Sequence, residues 1–178
     1  GVTTDRADKI KTIADLKGAK IGVTAPGSST NMIVWYLMAK AGLKPDAAAF
    51  VGVGATAGAV AIMKRGEIDA ISNLDPVITQ LEATGKYAAV ADSRTEKGMN
   101  EIYGGDYHAS VIYITDEYIK KYPNTVQAAV NAIVRANRWI AKATPQEIVD
   151  LMPDAYKAGS PSLYKAGLLK NMIGYSED

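Results

Sequence analysis

The sequence of 178 residues contains no cysteine and only one histidine. The lack of cysteine excludes disulfides, thiolate catalysis and cysteine-ligated metals, and a single imidazole cannot form a histidine-pair metal site. No apolar run approaches the roughly 20 residues that a membrane span requires. Lys and Arg total 20 against 19 Asp and Glu, so the net charge of +1 gives no support for binding to nucleic acid or to a membrane surface. We predict no metal and no cofactor.

The composition is that of an ordinary globular protein. Hydrophobic residues make up 48% and charged residues 22% of the chain, which excludes disordered and fibrous structures. From residue 19 onward, strand-like and helix-like segments alternate. The pattern predicts strands at Lys20–Thr24, Ala48–Val53, Asp69–Leu74 and Tyr87–Ala91, with helices between them at Asn31–Ala41, Thr56–Arg65 and Asp75–Thr84.

Successive β-α units predict parallel strands joined by right-handed crossovers, hence an open, mostly parallel α/β sheet with helices on both faces. Ligands of such sheets bind beyond the carboxyl ends of the strands, where the strand-to-helix loops lie. Three segments occupy those positions: a first loop, Ala25–Thr30, a second loop, Gly54–Thr56, and a third loop, Asn73–Asp75.

The alternation stops at Asp92–Tyr107, which is polar and contains three glycines, so we predict a loop there. A further strand is predicted at Ala109–Ile114, and the remainder of the chain is expected to be helical. The predicted helices are Glu117–Tyr122, Thr125–Lys142, one that starts after Thr144 and one at Ser162–Met172.

The first loop ends in three hydroxyl side chains, Ser28, Ser29 and Thr30, at the point where a strand gives way to a helix. The free N–H groups and positive dipole of a helix N-terminus form an anion site, and hydroxyls add donors. Serine and threonine are equally the ordinary N-cap residues and need no ligand for that role. Both interpretations remain open at this point, although one cap does not require three hydroxyls.

The second loop belongs to the stretch GVGATA, residues 52–57, which matches a dinucleotide-binding fingerprint with Asp75 as its downstream acid. The motif follows the second predicted strand instead of opening the fold, and Asp-Pro is an ordinary helix start. In the third loop, Asn73 could present an amide to a ligand, whereas Asp75 fits a helix cap or a cationic group.

His108, which follows Tyr107, could donate to an anion or satisfy a backbone carbonyl. The sequence contains no G-x-S-x-G elbow, so nothing in it favours hydrolysis by an activated serine.

The order of the segments resembles the solute-binding proteins of bacterial ABC importers, in particular the nitrate/sulfonate/taurine-type family, which includes relatives that bind a thiamine pyrimidine precursor. The resemblance extends over about residues 10–156 and rests on IKTIADLKGAKIGVTAPGSSTN, AIMKRGEIDAISNLDP and YHASVIYITDEYIKKYPNTVQAAVNAIVRANRWI. It implies a periplasmic-binding-protein-like (type II) fold, in which two α/β lobes hold a ligand between them. Residues 1–114 would be the second lobe with its lead-in and hinge strands, and 115–178 C-terminal helices that return to the first lobe.

By the same resemblance, the ligand-binding residues would be Ser28, Ser29, Thr30, Gly54, Ala55, Asn73, Asp75, Tyr107 and His108. The third loop has no aromatic side chain, unlike many members of the family, which weakens the expectation of an aromatic sulfonate or a taurine-like ligand. The chain would be a fragment that lacks most of the first lobe. We therefore expect it to bind solute weakly and to self-associate through apolar helix faces from Glu117 onward.

The implied function is non-enzymatic: capture of a small polar or anionic solute outside the cytoplasm, in the periplasm or its equivalent, and delivery to an ABC permease with its ATPase. No membrane insertion and no nucleic-acid partner are expected. Two alternatives are a nucleotide-binding enzyme domain that uses residues 52–57, and the effector-binding domain of a bacterial transcription regulator.

Overall fold

The computed structural model describes residues 1–105, 107–108, 111–154 and 160–172. These residues form two compact units. The first contains residues 1–92 and 160–167, and the second contains 93–154 and 168–172. This division falls earlier in the chain than the lobe boundary after Ile114 that the resemblance implies, and the assignment of the segments to lobes stays a prediction.

The first unit is built on a five-stranded mixed sheet with the strand order β3-β2-β4-β1-β5. Strand β2 pairs in parallel with β3 and β4, whereas β1 lies antiparallel between β4 and β5. The strands are β1 (Val2–Thr3), β2 (Lys20–Val23), β3 (Ala49–Gly52), β4 (Ala70–Ile71) and β5 (Tyr87–Ala88). Four of them were predicted from the sequence, and β1 is the addition that makes the sheet mixed.

Helices cover both faces of this sheet, as predicted. Ala70 and Ile71 are adjacent in β4 and, because side chains alternate along a strand, they lie in two separate apolar clusters. One cluster joins Ile21 and Val23 to the first helix, and the other contains the buried residues of the second and third helices. The sheet therefore separates two cores, and the carboxyl ends of β2, β3 and β4 lie at one edge between them.

Eight α-helices occur in the described residues. They are α1 (Ser29–Lys40), α2 (Ala57–Lys64), α3 (Val77–Glu82), α4 (Glu96–Tyr103), α5 (Asp116–Lys121), α6 (Pro123–Ile140), α7 (Pro145–Leu151) and α8 (Pro161–Asn171). Single 3-10 turns occur at Ile13–Leu16 and Pro45–Ala47. None of the helices in the described ranges has the length and apolarity that crossing a membrane would require.

The prediction of a loop over Asp92–Tyr107 was wrong, because this segment contains α4. The Thr95 hydroxyl accepts the N–H of Gly98 at 3.0 Å, which places that glycine in the first turn of the helix. Gly104 ends the helix with a φ of 83°, a left-handed conformation that glycine adopts without strain. Two of the three glycines therefore belong to the start and the end of a helix.

The strand predicted at Ala109–Ile114 is not formed in its described part, Val111–Ile114. Ala109 and Ser110 lie outside the described residues. Val111, Ile112 and Tyr113 are 66%, 69% and 90% exposed, and the described part of the second unit contains no strand beside which this apolar stretch could pair.

The two helices after this stretch, α5 and α6, contain no buried residue. Exposed large side chains on them include Tyr118, Ile119, Val130 and Ile133. The expectation that apolar helix faces would be exposed after Glu117 is therefore confirmed for these two helices.

Candidate functional site

The first loop turns the chain from β2 into α1 within a few residues. Gly27 has a φ of 78°, and the N–H of Ser28 donates to the Ala25 carbonyl at 3.1 Å. The side-chain oxygen of Asn31, in the first turn of α1, accepts the N–H of Gly27 at 2.9 Å. This turn brings the start of α1 to the carboxyl end of β2.

Three hydroxyls at this turn are hydrogen-bonded to one another. The Oγ atom of Ser28 lies 3.0 Å from Thr24 Oγ1 and 2.8 Å from Thr30 Oγ1, and the two threonine oxygens are 2.9 Å apart. Ser28 also caps α1, because its Oγ accepts the N–H of Asn31 at 3.4 Å, and Thr30 Oγ1 accepts the N–H of Thr24 at 3.0 Å. The hydroxyls of Ser28 and Thr30 are therefore used within the protein.

Ser29 differs from both of its neighbours. Its side chain is exposed, and neither its hydroxyl nor its backbone N–H has a partner in the described part of the chain. The backbone N–H of Thr30 also has no partner there, although Thr30 itself is only 2% exposed. These are the first two N–H groups of a 12-residue helix, and they point along its axis beyond the N-terminus. Among the predicted hydroxyls, Ser29 is the one available to a ligand.

The second loop lies against the first. The N–H of Gly54 donates to the Thr24 carbonyl at 3.1 Å, and a Cβ atom added to Gly52 would lie 3.2 Å from Pro26 Cδ. Ala55 is exposed, and the Thr56 hydroxyl caps α2 by accepting the N–H of Gly58 at 3.4 Å. The fingerprint-like stretch, residues 52–57, begins at the last residue of β3, which is an edge strand of the sheet.

The third loop is joined to both of the others. The hydroxyl of Ser72, the residue before this loop, donates to the Thr30 carbonyl at 2.8 Å. Asn73 Nδ2 donates to the Gly54 carbonyl at 2.8 Å, and Asn73 Oδ1 accepts the N–H of Leu74 at 2.9 Å. Asn73 therefore makes one bond to the second loop and one within its own loop, at a position where a ligand contact was predicted.

Asp75 makes the hydrogen bonds of a helix cap. Its Oδ1 accepts the backbone N–H of Thr79 at 2.8 Å and the Thr79 hydroxyl at 2.6 Å, in the first turn of α3. A Cβ atom added to Gly167 of α8 would lie 3.7 Å from Asp75 Cγ, so this helix covers part of the carboxylate. These two bonds to the first turn of α3 favour the capping interpretation, although Pro76 and not Asp75 occupies the N-cap position, and the acid that a dinucleotide fingerprint requires is engaged within the protein.

Seven of the nine predicted site residues lie on the three loops at this edge of the first unit. The other two, Tyr107 and His108, lie in the second unit and are exposed. There the ring of Tyr107 stacks on Tyr103, with centroids 4.4 Å apart and an interplanar angle of 16°. Their role as ligand-binding residues stays a prediction.

The electrostatic character of the edge comes from the backbone. None of the three loops contains Lys, Arg or His, and the only ionisable side chain in them is Asp75. The partial positive charge at the N-terminus of α1 is therefore the feature that favours an anion. No group of three or more His, Asp or Glu side chains in the described ranges is placed to hold a metal ion.

Thr24 and Asn31 support the site and were not predicted. Thr24 completes the hydroxyl cluster, and Asn31, 1% exposed, holds the turn at Gly27 while its Nδ2 has no partner in the described chain. The sequence did contain signals for both residues. Thr24 carries a hydroxyl directly after a strand and Asn31 carries an amide in the first turn of a helix, and both residue types favour local bonds to the backbone.

Comparison with known proteins identifies relatives of this chain. The NMT1-like family matches residues 3–152. The nitrate/nitrite binding protein NrtA of Nostoc sp. (strain PCC 7120) is 29% identical over 140 residues, which cover 78% of this chain and 30% of that protein. A solved structure of a protein from Bordetella bronchiseptica RB50 is 49% identical, with a TM-score of 0.91, over 100% of this chain and 56% of the other.

The fold also occurs in more distant proteins. The alkanesulfonate-binding protein SsuA from Xanthomonas axonopodis pv. citri, solved with MOPS bound, has a TM-score of 0.72 at 21% identity. The periplasmic aliphatic sulphonate binding protein SsuA from Escherichia coli has a TM-score of 0.73 at 20% identity. In both cases the match covers 95% of this chain and 53% of the other, so this chain spans about half the length of its structural relatives.

Proposed function

Because the chain belongs to the NMT1-like family, we propose that it is the solute-capturing part of a binding protein that serves an ABC importer. In this proposal it binds a small polar or anionic solute outside the cytoplasm and delivers it to a permease with its ATPase. It performs no chemical reaction on the solute. Residues 1–114 act as one lobe of the binding protein, and 115–178 supply helices to the other lobe.

The observation that carries the proposal is the unpartnered start of α1. The Ser29 hydroxyl and the N–H groups of Ser29 and Thr30 are donors without acceptors in the described chain, at the positive end of a 12-residue helix. An oxyanion supplies the missing acceptors, since helix N-termini bind anions through these same groups. The absence of Lys and Arg from the three loops favours a small anion of low charge over a phosphate-rich ligand.

The relatives narrow the class of solute. The Nostoc relative is a nitrate/nitrite binding protein, and the two distant structural relatives are sulfonate-binding proteins. Nitrate and the sulfonate group share three oxygens on a compact, singly charged centre. We propose nitrate, a sulfonate or taurine-like solute, or a small heterocycle with a comparable polar group.

The strength of binding follows from the number of donors. A helix N-terminus contributes roughly 0.3 to 2 kcal/mol to holding a charge, and each hydrogen bond adds about 1 kcal/mol net. Micromolar affinity requires about 8 kcal/mol. Three donors and one helix end fall short of that value, so the 178-residue chain should bind its solute in the millimolar range.

The test is a titration of the ¹⁵N-labelled chain with nitrate, methanesulfonate and taurine, followed by NMR. We expect at least one of them to shift the amide signals of Ser29 and Thr30 saturably. Ser29→Ala should weaken that binding about fivefold, because it removes one hydrogen bond to the solute. Ser93→Ala, a change at another exposed serine, is the matched control. Saturable binding that leaves Ser29 and Thr30 unshifted, or that survives Ser29→Ala unchanged, would contradict the proposal.

A further inference from the structure

Hydrogen bonds connect each of the three loops of the site, or a residue next to it, to both of the others. The first and second loops are joined by the Gly54 N–H, which donates to the carbonyl of Thr24, the residue before the first loop. The second and third loops are joined by Asn73 Nδ2 and the Gly54 carbonyl. The third and first loops are joined by the Ser72 hydroxyl, which donates to the Thr30 carbonyl. Two of the three connections are therefore made by adjacent side chains, Ser72 and Asn73, at the end of β4.

The described hydrogen bonds of these two side chains are all made to backbone groups of the protein. Ser72 has a single hydroxyl proton, and it is donated to Thr30. The oxygen of the Asn73 amide accepts the Leu74 N–H, and its nitrogen donates to Gly54. Ser72 acts next to the donors of the proposed site, because the carbonyl it holds belongs to Thr30 and the exposed Ser29 precedes it in the chain.

We propose that Ser72 and Asn73 are positioning residues that fix the N-terminus of α1 relative to the second loop and strengthen solute binding without touching the solute. The inference rests on the proposed function. It adds that two side chains directly after β4 hold the first and second loops in place. Groups held in the bound geometry before the ligand arrives lose less conformational freedom on binding, which raises affinity.

Four variants of the full chain distinguish positioning of the loops from direct contact with the solute. Ser72→Ala removes the hydroxyl, whereas Ser72→Thr keeps it and should restore the wild-type behaviour. Asn73→Asp keeps an oxygen to accept the Leu74 N–H and loses the donor to Gly54. Asn100→Asp is its matched control, because Asn100 Nδ2 also donates to a backbone carbonyl, that of Glu96 at 3.0 Å, within α4 of the second unit.

The first measurement uses no ligand. Backbone ¹⁵N order parameters report motion on the picosecond to nanosecond timescale. We expect them to fall at Ser29 and Thr30 in Ser72→Ala and at Gly54 and Ala55 in Asn73→Asp, and to stay at wild-type values in Ser72→Thr and Asn100→Asp. Unchanged order parameters in both Ser72→Ala and Asn73→Asp would overturn the inference.

The second measurement compares two probe anions, nitrate and methanesulfonate. A positioning residue acts on both alike, so Ser72→Ala should weaken the two affinities by the same factor, about fivefold for one lost hydrogen bond. Asn73→Asp serves only the order-parameter measurement, because its carboxylate would repel either anion whatever the role of Asn73. A change in the ratio of the two affinities would mean that the side chain contacts the solute, and it would overturn the inference. If wild-type protein binds neither anion, the proposed function fails for these solutes, while the order parameters still decide whether the two residues hold the loops.

Discussion

Ser28 and Ser29 are adjacent, yet their side chains have different environments. Ser28 Oγ accepts the Asn31 N–H and takes part in the hydroxyl cluster with Thr24 and Thr30, while Ser29 is exposed and free of partners in the described chain. One turn therefore contains both a helix cap, made by Ser28, and an exposed hydroxyl, that of Ser29, to which the proposed function assigns ligand binding. The sequence shows three hydroxyls, and the structure shows that one of them is available to a ligand.

Replacing each serine by alanine should separate stability from binding. Ser28→Ala removes a helix cap and should lower the free energy of unfolding of the first unit by about 1 kcal/mol. Ser29→Ala should change it by a few tenths of a kcal/mol at most, because an exposed residue without partners contributes little. Urea unfolding monitored by Trp35 fluorescence measures the free energy of unfolding of the unit that contains both serines. The measurement is made in a Trp139→Phe background, so that Trp35 is the only tryptophan.

The control for the cap is Ser28→Thr, which retains a hydroxyl at the N-cap position and should recover most of the lost stability. A loss of stability in Ser29→Ala as large as that in Ser28→Ala would show that the two roles have been assigned the wrong way round.

The residues of the site could be predicted in part. Hydroxyls and glycines after predicted strands indicated loops that lie together in the structure, because the carboxyl ends of parallel strands meet at one edge. The sequence did not reveal which polar atoms are used internally. Asn73 is bonded to Gly54 and Ser72 to Thr30, and both pairs depend on the order of strands in the sheet, which no local pattern contains.

Most secondary structure elements with their own local signals were predicted, with helix α4 as the exception, whereas those that depend on distant partners were not. The apolar runs of β2 and β3 and the caps of α1 and α2 are local features. Strand β1 has only two residues, and its place between β4 and β5 is a long-range property. Conversely, Val111–Ile114 has a strand-like composition, but a strand forms only beside a partner, and none is present in the described second unit.

Helix α7 offers an element whose stability should depend on pH. At its start, Glu147 accepts the backbone N–H and the hydroxyl of Thr144, both at 2.7 Å, in a capping box. The backbone hydrogen bond and then the hydroxyl bond hold the pKa of Glu147 below its ordinary value. A carboxylate whose pKa is lowered by folding stabilises the folded form above its unfolded pKa, and this stabilisation disappears as the pH falls through the folded pKa.

We therefore expect the first turn of α7 to lose helical order on acidification, below the ordinary pKa of glutamate. Carbon chemical shifts of Thr144–Ile148, recorded by NMR across the acidic range, measure the effect. Glu147→Gln should abolish this pH dependence, since its amide oxygen still accepts hydrogen bonds and does not titrate in this range. An identical acid transition in wild type and Glu147→Gln would exclude Glu147 as its cause.

The two units differ in how completely they bury their apolar residues. The first unit has two apolar clusters around a sheet. In the second, α6 is an 18-residue amphipathic helix without a buried residue, and the preceding α5 has none either. Amphipathic helices in proteins gain most of their stability by packing the apolar face, so these helices are expected to acquire a partner surface.

In the isolated chain the partner available at high concentration is a second copy, so we predict self-association through α6. Val130 and Ile133, 46% and 38% exposed, lie one turn apart on the same face, and covering the part of each that is still exposed contributes about 1 kcal/mol. Sedimentation velocity over a range of concentrations should show species larger than the monomer. The double variant Val130→Lys with Ile133→Lys should shift the equilibrium to monomer, because lysine favours the helix but opposes burial. The matched control is Ala128→Lys with Ala132→Lys, exposed positions of the same helix outside that face, which should leave association unchanged. A wild-type chain that stays monomeric up to millimolar concentration would contradict the prediction.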